Sequence, residues 1–344
     1  MLALMKLNSG PGNVELAVIP EPACGPGMVK VRVACTGICG TDLHVYHDTF
    51  KNYPPVTLGH EFAGEIVEAG SGVRRLKAGD RVAVLGSTAV VCGQCEYCRQ
   101  GHYMFCPVRR GMGHGVNGSF TKYVVVREDQ AYLLPDEVSY EEGALSEPFA
   151  CAVQAIEELT DIHAGDTVLL TGPGPIGLLC LMLLVAKGCK TIVAGTKEDA
   201  VRLEMAGRLG ADVVVDVSSE RLADIVDRET QGRGVDVSVD CSGAARGIVS
   251  CFQSLKKMGK HIQVGIIGQD VTLPYDTILY KQAAVFGSLG HSLKSWDGVL
   301  RLLKQRKIEL SRIITHKLPL SQWREAFELC ESKQGVKVLI SYDE

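Results

Sequence analysis

Short apolar runs, broken every few positions by Gly, Pro or Asp, dominate the first 150 residues of this 344-residue chain. Val29–Ala34, Glu65–Glu68, Arg81–Leu85 and Phe120–Val126 alternate or run apolar over strand-like lengths, with turns such as P-G-M and K-A-G-D-R nearby. Helical periodicity is weak there, so the region reads as β-rich. From about Thr160 the texture changes. Strand-like T-V-L-L-T leads into a long apolar helix. T-I-V-A-G, the helical E-D-A-V-R-L-E-M-A-G-R-L-G and A-D-V-V-V-D follow, then V-D-V-S-V-D, K-H-I-Q-V-G and A-A-V-F-G-S-L-G. Strands alternating with helices predict βαβ units and a parallel sheet. The tail carries amphipathic helices near Trp296–Gln305 and Ser321–Ser332 and a closing strand, V-K-V-L-I. No internal repeat is visible. The pattern predicts an α/β protein in two parts: a β-rich domain from residues 1–152 and 292–344, and a doubly wound parallel-sheet domain, 153–291, inserted between them.

Composition narrows the classes of function. The chain is 46% hydrophobic and 22% charged, with no block of like charge. A formal net charge of -4 argues against a nucleic-acid or anionic-membrane partner, either of which needs a basic patch. The longest apolar run, Ile176 to Ala186, is about half of the roughly twenty residues that a membrane span requires. The N-terminal M-L-A-L-M-K-L-N-S-G-P-G lacks the basic start, apolar stretch and cleavage site of a signal peptide. Thirteen cysteines are an odd number for a disulfide scaffold, and four are clustered while others lie in apolar segments. The expectation is a reducing, cytoplasmic location.

The clustered four are Cys92, Cys95, Cys98 and Cys106, spaced C-x2-C-x2-C-x7-C in a lobe at about 90–110. Four thiolates can close a tetrahedral shell around one ion, which marks a structural zinc with no open position. A second chemical signature is Gly172-Pro173-Gly174-Pro175-Ile176-Gly177, a G-x-G-x-x-G loop between the strand Thr167–Thr171 and the apolar helix. In that context the first Gly permits the turn and the second lets backbone approach a pyrophosphate. The third allows close helix–sheet packing. The second strand ends at Ala194-Gly195-Thr196-Lys197, where an NAD site places an acid for the ribose hydroxyls. Gly195 stands there instead, followed by Thr196, Lys197 and later Arg202. That set would tolerate a 2′-phosphate and tilts the cofactor towards NADP(H). Glu198 or Asp199, on a slightly longer loop, could still take the ribose role.

The segments Gly37-Ile38-Cys39-Gly40-Thr41-Asp42-Leu43-His44 and Gly59-His60-Glu61 form a looser metal-type set, with Glu147-Pro148 where the β-rich part ends. A catalytic zinc uses about three protein ligands and keeps an exchangeable position. Together, G-I-C-G-T-D-L-H, G-H-E-F-A-G-E-I-V-E-A-G-S-G-V, the cysteine quartet, E-P and G-P-G-P-I-G resemble the zinc-dependent medium-chain dehydrogenases. The resemblance covers nearly the whole chain, through the late I-T-H-K-L-P-L. Within the family it is to the branch of sorbitol (L-iditol) and threonine 3-dehydrogenases.

That resemblance implies a GroES-like catalytic domain with an inserted Rossmann domain, two zinc ions per chain, and a homo-oligomer, dimer or tetramer. By position it makes Cys39, His60 and Glu147 catalytic zinc ligands, and Glu61 a carboxylate that binds the ion directly or through its water. Asp42 would orient the ligating histidine. Thr41 would pass the substrate proton, through the cofactor ribose, towards His44. Lys337 would reach the cofactor phosphates. The expected reaction moves hydride between a small polar secondary alcohol and NAD(P), giving a ketone. A polyol is the first expectation for the alcohol, and oxidation of L-threonine is the alternative. Gly290, before His291, stands where polyol-type relatives tend to carry a substrate-binding arginine, which weakens sorbitol-like recognition. A non-catalytic zinc and nucleotide-binding protein is a third possibility, but it would have no need of Cys39, Thr41, His60 and Glu147 together.

Overall fold

The computed structural model describes residues 1–342. The chain divides into two compact units at Glu147/Pro148 and again at His291/Ser292. In chain order the first unit contributes β1 (Leu2–Lys6), β2 (Val14–Val18), β3 (Met28–Gly37), β4 (Val56–Thr57), β5 (Glu61–Ala69), β6 (Arg81–Leu85), β7 (Tyr123–Arg127) and β8 (Ala131–Leu133). The second unit carries β9 (Thr167–Thr171), β10 (Lys190–Gly195), β11 (Val213–Asp216), β12 (Val235–Asp240), β13 (Leu255–Gln263) and β14 (Ala284–Gly287). The chain then returns to the first unit with β15 (Ile314–Pro319) and β16 (Lys337–Ser341).

The first unit is built on a mostly antiparallel sheet ordered β15-β16-β3-β5-β6-β8, with β7 also paired to β3, and a small sheet β2-β1-β4. Alternation decides which face is buried. Val29, Val31, Phe62, Ile66, Val82, Val84, Val124 and Val126 share one core, as one-sided burial of antiparallel strands requires. A second core joins Leu4, Leu58 and Phe120 to Trp323 and Phe327 of the helix Trp323–Glu331 and to Val338 and Ile340 of β16. The late tail is therefore tied into the first unit by apolar burial. The strand β3 pairs with β5 from Val29↔Ala69 to Gly37↔Glu61, and β16 pairs with the end of β3 at Leu339↔Gly37. That register fixes what emerges beside the last residues of β3.

The second unit is a six-stranded parallel sheet, ordered β11-β10-β9-β12-β13-β14. The strand order reverses between β10-β9 and β9-β12, the doubly wound arrangement that places a ligand beyond the carboxyl ends of the central strands. The apolar helix Pro175–Ala186 follows β9 and is buried from Gly177 to Leu184, which accounts for its lack of a polar face. Leu169, Ile192, Val215, Val235, Ile248 and Phe252 form the core of this unit. Among the described residues, no helix is long and apolar enough to cross a membrane.

Candidate functional site

The pairing of Gly37 with Glu61 places the chain after β3 beside the chain before β5. Cys39 and His60 thus leave neighbouring strands at the same end of the sheet. Cys39 then caps the N-terminus of a helix, Gly40–Tyr46. One ligand atom each from Cys39, His60 and Glu61 lies within 4.8 Å of the others. His60 is nearly buried and Glu61 is fully so. A thiolate, an imidazole and a carboxylate in one pocket are a zinc-type donor set.

A buried carboxylate holds the two ligand segments together. Asp42, 1% exposed, accepts the backbone N–H of Cys39 at 2.9 Å and the backbone N–H of Gly59 at 3.1 Å. Its Oδ1 also lies 3.8 Å from His60 Nδ1, a buried atom with no hydrogen bond of its own. Asp42 therefore sits at the Nδ1 side of the imidazole, where a carboxylate can fix ring orientation in metal sites. Burial pushes the Asp42 pKa up, against the pull of His60 and the two N–H donors.

A second clamp crosses the same gap. The Lys337 ammonium donates to the Ile38 carbonyl at 2.9 Å and to Glu61 Oε2. The pair occupies space that only glycine leaves at position 37, because an added Cβ would lie 2.3 Å from Glu61 Oε2 and 2.9 Å from Lys337 Cε. Lys337, expected at the cofactor phosphates, has its ammonium buried between a carboxylate and a carbonyl instead. Burial works against its charge, but Glu61 and Cys39 outweigh that and hold its pKa above the ordinary lysine value.

The remaining expected residues lie around this group. Glu147 is buried and falls outside the tight trio, but its charge is felt by both His60 and Glu61. Burial pushes the His60 pKa down, yet Cys39, Asp42 and Glu147 together hold it well above the ordinary value. Glu61 is raised by burial, with Glu147 adding to the effect and Lys337 and His60 opposing it. The pocket as a whole attracts positive charge, and a bound cation would take over the role of the His60 proton. Thr41 and His44 lie one turn apart on the helix Gly40–Tyr46. Thr41 is half-buried, and His44 is exposed with Nδ1 3.0 Å from Thr49 Oγ1.

Two residues that sequence reasoning missed also border the pocket. Arg109 donates to the Ser87 carbonyl at 2.8 Å and is close enough to Glu147 to feel its charge. His114 has its pKa pushed down to about 4, first by burial and then by His60 and Arg109.

The quartet forms its own closed cluster, with the four sulfur atoms within 4.8 Å of one another. Backbone N–H groups point at the sulfurs: Cys92 N–H to Cys106 Sγ and Cys95 N–H to Cys92 Sγ at 3.3 Å, and Cys98 N–H to Cys95 Sγ at 3.4 Å. Such donors stabilise thiolates, and those from Gln94 and Cys95 draw the Cys92 pKa down to about 6. A reciprocal backbone pair between Val90 and Arg110 closes the base of the lobe. All four cysteines are free of disulfides, as a metal shell requires.

In the second unit, Gly172 follows β9 with φ +87°, a conformation that glycine supplies without strain. An added Cβ at Gly174 would meet nothing within 4 Å, so its backbone is open to a pyrophosphate. Pro175 occupies the first turn of the helix beside Ile176. Gly177 packs against Gly172, whose carbonyl would be 2.1 Å from an added Cβ. Gly195 ends β10, and Thr196 donates through N–H and Oγ1 to Asp199 Oδ2 at 3.1 and 2.9 Å. Asp199 is therefore engaged in closing its own turn. Lys197 is exposed, and Arg202 lies in the first turn of the helix Ala200–Arg208.

The family model for an alcohol dehydrogenase GroES-like domain matches residues 25–136, and that for a zinc-binding dehydrogenase matches residues 175–305. The chain is 38% identical over 342 residues to a sorbitol dehydrogenase of Halalkalibacterium halodurans, covering 99% of each. It belongs to the zinc-dependent medium-chain dehydrogenases. Within that family it is 40% identical over 334 residues to a D-arabitol-phosphate dehydrogenase of Enterococcus avium, covering 96% of this chain and 95% of the relative. A structure of a zinc-binding dehydrogenase of Sinorhizobium meliloti bound to NADP superposes with a TM-score of 0.89 at 31% identity. It covers 99% of this chain and 98% of its own. The dehydrogenase is accordingly an enzyme that acts on an alcohol with zinc and a nicotinamide cofactor.

Asp42 offers a direct test of how the metal group is held. In Asp42→Asn the side-chain amide cannot accept both backbone N–H groups, and the charge behind His60 is lost. Affinity for zinc at the Cys39 group should fall by about 10–100-fold, read by competition with a chelator. Zinc bound at the quartet would serve as internal control. Unchanged affinity would mean that Asp42 does not support the site.

Proposed function

We propose that the dehydrogenase oxidises a polyol at a secondary hydroxyl to a ketose, with zinc held at Cys39, His60 and a carboxylate and with NADP favoured over NAD. The observation that carries this reading is the Cys39–His60–Glu61 group, half-buried at Cys39 and buried at the other two, with Glu147 near enough to act on His60. When bound, zinc acts as a Lewis acid that lowers the pKa of the substrate hydroxyl, and the nicotinamide accepts the hydride. The protein supplies the geometry. Cys39, His60 and either Glu61 or Glu147 hold the ion, while Asp42 and Lys337 keep the two ligand segments in register. The half-buried Thr41 hydroxyl relays the substrate proton, accepting it as it gives up its own, towards the exposed His44 on the solvent side. The quartet holds the second zinc and stabilises its lobe without touching the reaction.

The polyol assignment is supported by the two polyol-type relatives, at 38% and 40% identity. NADP is supported by Gly195 at the end of β10, by the engagement of Asp199 with Thr196, and by the NADP-bound relative. We also infer a homo-oligomer. The strand β14 is an open edge of its sheet, and Tyr275, Leu279, Tyr280, Val285 and Leu289 near it are exposed. An uncovered edge with an apolar surround invites pairing. Light scattering should give a dimer or tetramer, and a monomer at micromolar concentration would remove that inference.

A screen of pentitols, hexitols, simple secondary alcohols and L-threonine with both cofactors, followed by reduced-nicotinamide absorbance, tests the substrate and cofactor together. A polyol should give kcat/KM at least about tenfold above L-threonine, and NADP should serve better than NAD. Preference for L-threonine would overturn the polyol reading, and strong preference for NAD would overturn the cofactor reading.

A further inference from the structure

A group of positive side chains lies beside the metal group of the first unit, and nothing in the reaction itself explains it. Lys51 Nζ is 5.5 Å from the centroid of the Tyr53 ring, and the Arg110 guanidinium carbon is 4.4 Å from the same centroid. One half-exposed ring thus gathers two exposed cations, attracted by its quadrupole. Arg109, next in the chain, is half-buried and held by the Ser87 carbonyl near Glu147. Among the described residues, none of these three cations is paired with a carboxylate.

The loops that carry the cations are fixed to the metal pocket. Tyr53 N–H donates to the His114 carbonyl at 2.9 Å, and the His114 ring is hydrogen-bonded to Lys51 backbone. The rings of Phe50 and His114 pack edge to face, with centroids 5.1 Å apart. Gly113, next to His114 in the chain, packs against Gly59, the residue before His60, so closely that an added Cβ would lie 2.9 Å from the Gly59 nitrogen. A path of contacts therefore leads from the metal ligand to the two outward cations. Clustered like charges repel one another, and a bound zinc ion would strengthen the positive field. A neutral polyol gains little from that field. A substrate carrying an anionic group away from its reacting carbon gains directly.

We propose that the substrate is a phosphorylated polyol whose phosphate is held by Lys51 and Arg110, with Tyr53 as their platform. This rests on the polyol reading above and specifies its class. A phosphomonoester carries about -1.5 to -2 charges at pH 7 and three acceptor oxygens, and the planar Arg110 fork suits two of them. The phosphate is a handle only. No bond to it forms or breaks: the secondary C–H gives its hydride to the nicotinamide, the hydroxyl gives its proton to the protein, and the ester leaves as a keto-sugar phosphate. Lys51 and Arg110 are specificity residues, and Tyr53 positions them.

The test uses the zinc-loaded full-length enzyme with D-arabitol 1-phosphate and D-arabitol. The ester should be preferred by at least about tenfold in kcat/KM, mainly through KM, and its KM should rise with salt. In the double variant Lys51→Met, Arg110→Met that preference should shrink by about tenfold or more. Inorganic phosphate should compete with the ester in the original enzyme and bind more weakly to the variant by calorimetry. No preference for the ester, or equal loss on both substrates, would overturn the proposal. If neither compound is oxidised but an alcohol that is not a polyol is, the polyol reading fails. The calorimetric comparison then still decides the subsite, and equal phosphate binding by both proteins would reject it.

Discussion

The two hydrogen bonds accepted by Asp42 are the constraint on which the metal pocket depends. Cys39 and His60 belong to different segments of the chain. What brings them together is the Gly37↔Glu61 end of the β3–β5 ladder, and what keeps them together is one carboxylate bonded to the Cys39 and Gly59 backbones. A buried carboxylate without partners would be costly. Here the two N–H donors and the imidazole nearby account for it. The Lys337–Glu61 pair repeats the same logic from the opposite side, joining the Ile38 carbonyl to the residue after His60. Two clamps on two loops leave little freedom for the ligands to drift, and a Lewis-acid site requires that rigidity.

Charge is distributed in layers around that pocket. Closest in are the Cys39 thiol and the carboxyls of Glu61, Glu147 and Asp42, which favour a cation. Farther out, on the loops that carry Lys51, Arg109 and Arg110, the sign reverses. A positive rim outside a metal-binding centre selects substrates by charge at one end and by chemistry at the other. The cysteine quartet is a separate cluster: its sulfurs face one another and receive backbone N–H groups. Closed around a zinc ion, such a shell would contribute folding energy and leave no position for a substrate.

Much of this was legible in the sequence wherever the signal is local. T-V-L-L-T became a strand with the same bounds, Thr167–Thr171, and the apolar run after the glycine loop became the helix Pro175–Ala186. The cysteine spacing alone identified the quartet. Less legible were elements whose pattern is diluted by surface charge. The helix Leu222–Thr230 has only Ile225, Val226 and Thr230 buried, so its apolar stripe is short. The strand β13 begins at Leu255, before the K-H-I-Q run, with Met258 at positive φ and a register shift against β12 near its start. The clamps were not legible at all. Lys337 and Glu61 are 276 positions apart, and nothing near either residue names the other. The same is true of Lys51 and Arg110, which only the folded loops bring to one ring.

Anomalous diffraction at the zinc edge, from crystals of the protein as purified, is the most direct measure of the central claim. Two peaks per chain are expected. One should be enclosed by the sulfurs of Cys92, Cys95, Cys98 and Cys106, and the other should be bound by Cys39, His60 and a carboxylate. A single peak confined to the quartet, in protein that turns over substrate, would contradict it.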